Sequence, residues 1–171
     1  YVAHLPSRIG GKGQDLRSRG GEIMYKHAKI MEEKYPGIKI ICMGDMNDNP
    51  TDDSMAKLLH GKEKIEDVTP QDFFSPYISM LKAGYGSLAY QGEWNIYDLE
   101  RVNYNLAHAQ KGTLQIQKVG KKGFYGVIFH QPFMTQQSGQ YKGTPSRTFS
   151  SGAFNPHGYS DHYPTFIVLG K

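Results

Sequence analysis

The sequence has a single cysteine, Cys42, among its 171 residues. A lone cysteine excludes an internal disulfide bond, and its place inside an apolar segment predicts a small core side chain. The sequence also has no apolar run that approaches the roughly 18 residues of a membrane-spanning helix. With 38% hydrophobic residues, 12% aromatic residues and a mean hydropathy of -0.57, the composition predicts a soluble globular protein of one domain, residues 1–171.

Neither sign of charge dominates the sequence. It has 20 lysine and arginine residues against 16 aspartate and glutamate residues, which gives a formal net charge of +4. Such a mild excess suits a phosphate-bearing partner but does not establish one, because many other globular domains share it. The composition leaves the cellular compartment open.

Several widespread functional motifs are missing. The glycine-rich segment 10–13 lacks the Gly-Lys-Ser/Thr ending of a phosphate-binding P-loop, so we expect a flexible loop there. In the acidic segment after Gly44, Pro50 replaces the glycine of an EF-hand calcium loop, and Ala56 replaces its final glutamate. Residues 160–162 are serine, aspartate and histidine, but neighbours on an extended chain cannot converge as a catalytic triad, and the sequence has no Gly-x-Ser-x-Gly elbow.

The segment around which the chain is organised is the apolar run 38–43, which lies between a Pro-Gly pair and Gly44. Its short length and β-branched residues predict a buried strand that presents Asp45 and Asn47 at its carboxyl end, where ligands often bind. A carboxylate and a carboxamide two residues apart can point to one place, the first as base or metal ligand, the second as hydrogen-bond donor. An ordinary polar turn is the alternative at this point, because Asp, Asn, Gly and Pro also form turns.

A long amphipathic helix is predicted from about residue 16 to Lys34. Asp15 is its predicted N-cap, and the segment Tyr35-Pro36-Gly37 ends it. The helical spacing of apolar residues predicts a core-facing stripe, formed by Met24, Ala28, Met31 and Tyr35 together with Ile23, His27 and Ile30. The basic residues near its start are expected to be solvated or to face a phosphate: Lys12, Arg17 and Arg19. A helix that leads into a buried strand favours helices packed on a sheet.

Strand-like segments and turns make up most of the remaining chain. A short helix is predicted after Thr51 or Asp52, strand-like patterns cover residues 102–106 and 126–134, and an apolar strand forms the end of the sequence. Residues 135–157 are rich in Gly, Ser, Gln and Pro, which predicts a long loop that is either functional or mobile.

Four short motifs follow one another along the chain: His4-Leu-Pro, Gly44-Asp45-x-Asn47, Trp94-Asn-x-x-Asp98 and Ser160-Asp161-His162-Tyr-Pro164. In this order and spacing they resemble the endonuclease/exonuclease/phosphatase superfamily, the relatives of deoxyribonuclease I. Three accompanying motifs resemble a bacterial branch of it: Pro6-Ser-Arg8, Tyr90-x-Gly-x-Trp94 and Tyr141-Lys-Gly. The resemblance runs from residue 1 to residue 169.

The resemblance implies an α+β fold, the deoxyribonuclease I-like four-layer α/β/β/α sandwich. Two facing, mainly antiparallel sheets would have helices outside and the site at one end. The chain resembles the C-terminal half of the family's domain, so an earlier segment is expected to supply the first strands, an asparagine and a metal-binding glutamate. Half a sandwich would leave apolar faces and strand edges uncovered, so we expect a complementary segment or self-association to cover them.

The resemblance further implies divalent-metal-dependent hydrolysis of phosphoesters by an activated water. Mg²⁺ or Mn²⁺ would neutralise charge at phosphorus through oxygen ligands. Asp161 and Asp45 are the implied metal ligands. Asp45 would also orient or deprotonate the water, and Asn47 would donate a hydrogen bond to a phosphoryl oxygen.

Two histidines complete the implied catalytic set. His162 would contact the phosphate or shuttle its proton, Asp98 would hold the His162 ring, and His4 resembles the family's second histidine. The residues predicted to bind substrate are Arg8, Asn47, Trp94 and Arg147. The family's substrates include DNA, RNA, inositol phosphates and sphingomyelin, and the sequence does not choose among them. The alternative hypothesis is a non-catalytic module that binds nucleic acid or a protein.

Overall fold

The computed structural model describes residues 1–150 and 152–171. Its α-helices are α1 (Gln14–Lys34), α2 (Tyr77–Lys82) and α3 (Tyr104–Ala107). The first seven strands are β1 (Val2–His4), β2 (Ile41–Asp45), β3 (Gly61–Lys62), β4 (Phe73–Phe74), β5 (Leu88–Tyr90), β6 (Glu93–Asn95) and β7 (Asp98–Asn103). The later ones are β8 (Gln115–Gln117), β9 (Gly126–Ile128), β10 (Phe149–Ser150), β11 (Ala153–Phe154) and β12 (Thr165–Gly170).

The main sheet has the strand order β1-β2-β7-β4-β3. The pairs β1–β2 and β3–β4 are parallel, whereas β7 is antiparallel to both β2 and β4. The register places Asp45 directly opposite Asp98. Directly opposed residues of an antiparallel pair project from the same face of the sheet, so both carboxylates lie on one face at the end of β2.

A second, antiparallel sheet packs against that face, with the order β8-β12-β9. The Thr165 hydroxyl of β12 donates a hydrogen bond of 3.1 Å to the Glu100 carboxylate of β7. The Tyr77 hydroxyl donates its hydrogen bond to Glu100 and lies 3.2 Å from the carbonyl oxygen of Phe166. Burial raises the pKa of Glu100, and these hydrogen bonds oppose the rise.

The mixed α/β character predicted from the sequence is confirmed, because the described residues form several sheets and few helices.

Helix α1 covers the other face of the main sheet along a narrower line than its apolar pattern predicts. Met24 and Ala28 are buried as predicted, but Ile23 and Ile30 are 55% and 56% exposed. The buried line consists of Arg17, Gly21, Met24 and Ala28. A side chain at Gly21 would lie 2.4 Å from the carbonyl oxygen of Ser54, so this glycine lets the helix approach the next segment closely.

The N-cap prediction for α1 was wrong. Gly13 is the N-cap, in a left-handed conformation with φ of 78°, and Asp15 lies in the first turn without capping it. A carboxylate in the first turn still interacts favourably with the positive end of the helix dipole. Asp15 therefore supports the helix start through its charge.

Strand β2 begins later than predicted and includes the acidic residue, since it runs from Ile41 to Asp45. Just before it, the Ile40 carbonyl still accepts a hydrogen bond of 3.0 Å from the Asn103 amide of β7, but the Ile40 amide bonds to the Asn103 side chain. The Asn103 side chain accepts a hydrogen bond from the Ile40 amide and donates one to the Ile38 carbonyl, each of 3.0 Å. The burial of Cys42 in the core is confirmed.

Three other boundaries differ from the predictions. The strand predicted over residues 102–106 was wrong in its second half, since β7 ends at Asn103 and α3 follows it. The strand predicted over 126–134 ends at Ile128, and a 3₁₀ turn covers Pro132–Met134, where proline lacks the amide that a strand needs. The helix predicted after residue 52 is a single π-helical turn, Ser54–Leu58, without a side-chain cap. Among the described residues of the predicted long loop 135–157, β10 and β11 form a short antiparallel pair, and Thr135 forms an isolated bridge with Pro145.

β1 forms one edge of the main sheet, and its Val2 side chain is exposed. An uncovered edge can pair with a further strand, so coverage by another copy or another segment stays a prediction. Among the described residues, no helix has the length and apolar character needed to cross a membrane.

Gly44 allows β1 to pair with β2 just before the site. It has a φ of 125°, and a Cβ there would lie 2.0 Å from the carbonyl oxygen of Ala3, its partner in β1. We expect Gly44→Ala to lower the free energy of unfolding by roughly 2–4 kcal/mol, because it adds both a clash and backbone strain. Urea denaturation measures the loss.

The matched control is Gly37→Ala. Gly37 also has a positive φ, of 84°, but nothing lies within 4 Å of a Cβ placed there. Its substitution should cost only the backbone strain, about 1 kcal/mol. Equal losses for the two variants would contradict the close approach of β1 and β2.

Candidate active site

The candidate site lies where β1 and β2 end, β7 begins, and the segment before β12 passes over them. The parallel pairing of β1 and β2 places His4 beside Asp45, and the antiparallel pairing of β2 and β7 places Asp45 beside Asp98. His162 comes from a turn about sixty residues later and contacts Asp98. The structure thus brings together four of the residues predicted as catalytic from separate sequence motifs.

Three of these side chains form a tight cluster. One ligand atom from each of Asp45, Asp98 and His162 lies within 4.8 Å of the others. His4 is at the rim, with Nε2 3.5 Å from the Asp45 carboxylate and its side chain 76% exposed. The cluster is therefore partly enclosed on the protein side and open on the His4 side.

Asp45 is a carboxylate whose proton affinity is increased by its surroundings. Burial raises its pKa, the backbone amide of Asn47 lowers it, and the neighbouring Asp98 raises it further. The Asn47 amide donates a hydrogen bond of 2.9 Å to Asp45 Oδ1, which fixes the carboxylate orientation. A raised pKa and a fixed orientation are properties of a general base.

Asp98 holds His162 in one orientation. His162 Nδ1 lies 2.8 Å from Asp98 Oδ2, and the Ser87 hydroxyl donates a hydrogen bond of 3.0 Å to the same oxygen. An ionised carboxylate only accepts hydrogen bonds, so the proton of this contact belongs to Nδ1, and Nε2 is the nitrogen left to face a substrate. Ser87 is the third member of this hydrogen-bonded group but has no sequence signal that distinguishes it from a turn serine.

The environment of His162 makes its imidazole more basic. Burial lowers its pKa, but the hydrogen bond and the charge of Asp98 outweigh burial, so the pKa lies above its usual value. Asp161 and Asp45 add to the rise. The contact between Asp98 and His162 therefore contributes fully to folding stability below pH 6.5, the ordinary pKa of histidine. The contribution is lost as the pH rises through the pKa of His162 in the folded state.

We expect Asp98→Asn to lower the pKa of His162. The variant removes the negative charge, while burial still disfavours the imidazolium ion. NMR titration of the His162 ring in metal-free protein measures the change, and His157, which is exposed, provides an internal reference. An unchanged His162 titration in the variant would contradict the role assigned to Asp98.

Asn47 joins the ends of β1 and β2. It has a positive φ of 50°, which asparagine tolerates better than most residues. Its side-chain amide donates a hydrogen bond of 2.9 Å to the Leu5 carbonyl, just after His4. The amide group has two hydrogens, so one is left for the predicted bond to a phosphoryl oxygen.

A buried ion pair beneath these loops was missed by the sequence analysis. Arg17 Nε lies 2.8 Å from Asp48 Oδ1, and both side chains are almost wholly buried. Arg17 also donates hydrogen bonds to the carbonyls of Pro6 and Lys12, at 3.1 and 3.0 Å. Ser54 donates one of 2.6 Å to Asp48. The expectation that Arg17 is solvated or faces a phosphate was wrong, because α1 places it under the loops instead.

Arg101 of β7 bonds to the segment that follows Asp48. Its guanidinium group donates hydrogen bonds to the carbonyls of Pro50 and Met55, and the side chain is fully buried. Its position opposite Cys42 in the strand pairing directs it to the α1 side of the sheet. Nothing in the sequence distinguishes this arginine from a surface residue.

The residues predicted to bind substrate are spread around the cluster. Arg8 lies 3.0 Å from the Asp52 carboxylate and 3.3 Å from the Tyr97 hydroxyl, so its charge is already partly neutralised. Trp94 stacks on Tyr163 at a centroid distance of 6.3 Å. Arg147 donates a hydrogen bond of 3.0 Å to the Ala89 carbonyl.

Two cavities open near the cluster. A cavity of about 280 Å³ is lined by Asp98, His162 and neighbouring residues, including Met134 and Tyr159. A larger cleft of about 690 Å³ is lined by Trp94 and Arg147 among others. The small cavity is next to the candidate catalytic pair, and the cleft includes Trp94, which stacks on the residue after His162.

The cluster of two carboxylates and one imidazole fits a divalent cation in its donor types. Hard cations such as Mg²⁺ prefer carboxylate oxygens, which Asp45 and Asp98 provide. Asp161, the other predicted ligand, is exposed and lies outside the three-residue cluster. The sequence thus paired Asp45 with Asp161, whereas the structure groups Asp45 with Asp98 and His162.

The chain was compared with known proteins. A family model described as "Endonuclease/Exonuclease/phosphatase family" matches residues 1–171. A search of curated proteins finds no significant match.

Proposed function

Because the chain belongs to the endonuclease/exonuclease/phosphatase family, we propose that it is a divalent-metal-dependent phosphoester hydrolase of the phosphodiesterase or nuclease type. The observation that supports this most directly is the contact of the Asp98–His162 pair with Asp45 at the end of β2. This arrangement offers a base, a proton-bearing imidazole and carboxylate oxygens around one point.

We also propose that the fold is the deoxyribonuclease I-like four-layer sandwich, since α1 lies outside the main sheet and the second sheet packs on its inner face.

In the proposed mechanism, Asp45 orients a water molecule and accepts its proton, because its raised pKa increases its basicity. The water oxygen bonds to phosphorus while the bond from phosphorus to the leaving oxygen breaks. His162 donates a hydrogen bond to the phosphate or a proton to the leaving oxygen from Nε2, while Asp98 keeps the ring in place. Asn47 donates its second amide hydrogen to a phosphoryl oxygen, and His4 contributes a further imidazole at the open rim.

Metal binding is part of the proposal. Asp45 is the principal ligand, because the Asp98 carboxylate is already engaged by His162 and Ser87. Asp161 is the second ligand, proposed from the sequence motif. A bound Mg²⁺ or Mn²⁺ would supply charge neutralisation at the phosphate. Arg8, Trp94 and Arg147 would contact the substrate outside the reacting group.

The test is hydrolysis of bis-p-nitrophenyl phosphate by the 171-residue chain, with Mg²⁺ or Mn²⁺ and with chelator. We expect turnover that requires the metal and that Asp45→Ala abolishes. The matched control is Asp53→Ala, which removes an exposed carboxylate eight residues away that pairs only with Lys57. Turnover that is insensitive to chelator, or equal loss in both variants, would contradict the mechanism.

A non-catalytic binding module is the second candidate. The cleft beside Trp94, with Lys142 and Arg147 in its walls, favours it, because such a cleft can hold a ligand without reacting with it. A folded chain that binds a phosphodiester with undiminished affinity after Asp45→Ala but never hydrolyses it would favour this second function.

A further inference from the structure

We propose that the cleft between the β5–β6 hairpin and the segment 136–149 binds an unpaired nucleobase of the substrate. The inference rests on the proposed phosphoester hydrolysis and names the class of substrate, a single-stranded nucleic acid. Three features of the cleft support it: its attachment to the catalytic segment, its aromatic walls and its charge.

The cleft is attached to the segment that carries His162. Trp94 of β6 stacks on Tyr163, with ring planes 18° apart, and Tyr163 directly follows His162. The Tyr163 hydroxyl donates a hydrogen bond of 3.0 Å to the Gly143 carbonyl on the opposite wall. Its backbone amide donates one of 2.7 Å to Ser87, beside the hairpin. Both walls are therefore fixed relative to the catalytic imidazole, and a ligand in the cleft is a neighbour of the reacting phosphate.

The walls present aromatic faces to the solvent. Tyr90, Trp94, Tyr141 and Phe149 line the cleft and are 58%, 37%, 58% and 65% exposed. Exposed aromatic rings in a concave site stack on flat ligands, and nucleobases have such faces when they are unpaired. In a duplex the neighbouring base pairs cover these faces, so the cleft favours a single strand.

The polar lining suits a base attached to a phosphate chain. The cleft contains Lys142 and Arg147, and no aspartate or glutamate is among its described lining residues. Gln91, Gln136 and Gln140 add carboxamides, which can hydrogen-bond to base edges. This combination of stacking rings, carboxamides and cations is typical of sites for single-stranded nucleic acids.

Other phosphoesters fit this lining less well. An acyl chain would favour an apolar cleft, but three carboxamides and two cations line this one. A polyphosphorylated sugar would favour a dense cluster of cations without exposed rings. The volume of about 690 Å³ is in the range of small-ligand sites, which suits one or two nucleotides.

The lone tryptophan makes a direct test possible, because Trp94 lies in the cleft and is the only source of tryptophan fluorescence. We would titrate the protein with hexathymidylate that has phosphorothioate linkages, in chelator, and with an abasic oligomer of the same length and charge. We expect hexathymidylate to quench Trp94 and to bind about 5- to 100-fold more tightly than the abasic oligomer. Equal affinity for both oligomers, or no binding of hexathymidylate, would overturn the proposal.

A matched pair of double variants separates stacking from general charge. Tyr141→Ala with Lys142→Gln removes an exposed Tyr-Lys pair of the cleft, and Tyr35→Ala with Lys34→Gln removes an exposed Tyr-Lys pair at the end of α1. We expect the first to lose at least fivefold in hexathymidylate affinity and the second to lose none. Equal affinities in the two would overturn the proposal.

The binding measurement does not depend on turnover. If the cleft fails this test while metal-dependent hydrolysis of bis-p-nitrophenyl phosphate still requires Asp45, the proposed function stands and the nucleobase site is wrong. If hexathymidylate binds in the cleft but hydrolysis is absent, the nucleobase site stands and the proposed function is wrong.

Discussion

Replacement of His162 by alanine is expected to lower the rate of phosphodiester hydrolysis by about 10²–10⁴-fold, the usual contribution of a general acid or base. His162 is the only imidazole of the three-residue cluster. Its Nδ1 contacts Asp98, so its Nε2 is left to face a substrate. The side chain is largely enclosed, so water is a poor substitute for it. Steady-state kinetics with bis-p-nitrophenyl phosphate measures the loss, and circular dichroism checks that the fold persists.

The control for this variant is His108→Ala. His108 packs against Tyr104 next to α3 and takes no part in the cluster. We expect it to retain full activity. A loss in His108→Ala that equals the loss in His162→Ala would assign the effect to folding and not to catalysis.

Asp98→Asn distinguishes the positioning of His162 from its chemistry. The substituted carboxamide would keep the shape of the side chain but lose the charge that stabilises the imidazolium ion. We therefore expect a lower kcat together with an acidic shift of the limb of the pH–rate profile that reports His162. A purely structural role would lower the rate without moving the pH profile. The profile is therefore the decisive measurement for Asp98.

Asp48→Ala is expected to lower the free energy of unfolding by about 3–5 kcal/mol, the usual cost of leaving one partner of a buried ion pair uncompensated. The variant leaves the Arg17 guanidinium buried, with only carbonyl oxygens and Gln14 around it. It also removes the acceptor of the Ser54 hydroxyl. Guanidinium chloride denaturation at neutral pH gives the change in stability.

Two comparisons test that explanation. The double variant Asp48→Ala with Arg17→Met is expected to recover part of the loss, because no unpaired charge then stays buried. Glu22→Ala removes one partner of an exposed pair on the same helix, with Lys26, and should leave the denaturation midpoint unchanged. If the double variant loses more free energy of unfolding than the two single variants lose together, the two residues do not act as one ion pair.

The same pair has a consequence for activity. Arg17 bonds to the loop that follows His4, and Asp48 follows Asn47, so the ion pair connects the loop after His4 with the segment that holds both the proposed base, Asp45, and the proposed amide donor, Asn47. At temperatures where Asp48→Ala is folded, we expect lower turnover than in Glu22→Ala. This follows because catalytic groups must be held within a fraction of an ångström of the productive geometry.

The candidate site was partly predictable from local patterns. The apolar run that ends at Gly44 singled out Asp45 and Asn47, whereas His4, Asp98 and His162 were singled out through the resemblance that the order of four motifs carries. The contact between Asp98 and His162 was predicted only through the family resemblance. Asp98 and Asp45 are close neighbours because of the antiparallel register of β2 and β7. Register pairs segments that are distant in the sequence, so neither strand specifies it alone.

The same distinction explains what the sequence left out. Helix α1 and strand β2 were predicted because periodicity and apolar runs are short-range signals, within a window of some 11–18 residues. Arg17, Asp48 and Arg101 were missed because a charged residue is buried only when a partner or a set of carbonyls from elsewhere in the fold surrounds it. The cleft likewise has walls that are more than forty residues apart in sequence. Local pattern therefore set most of the elements, the order of the motifs set the candidate residues, and the packing of distant segments set which of those residues meet.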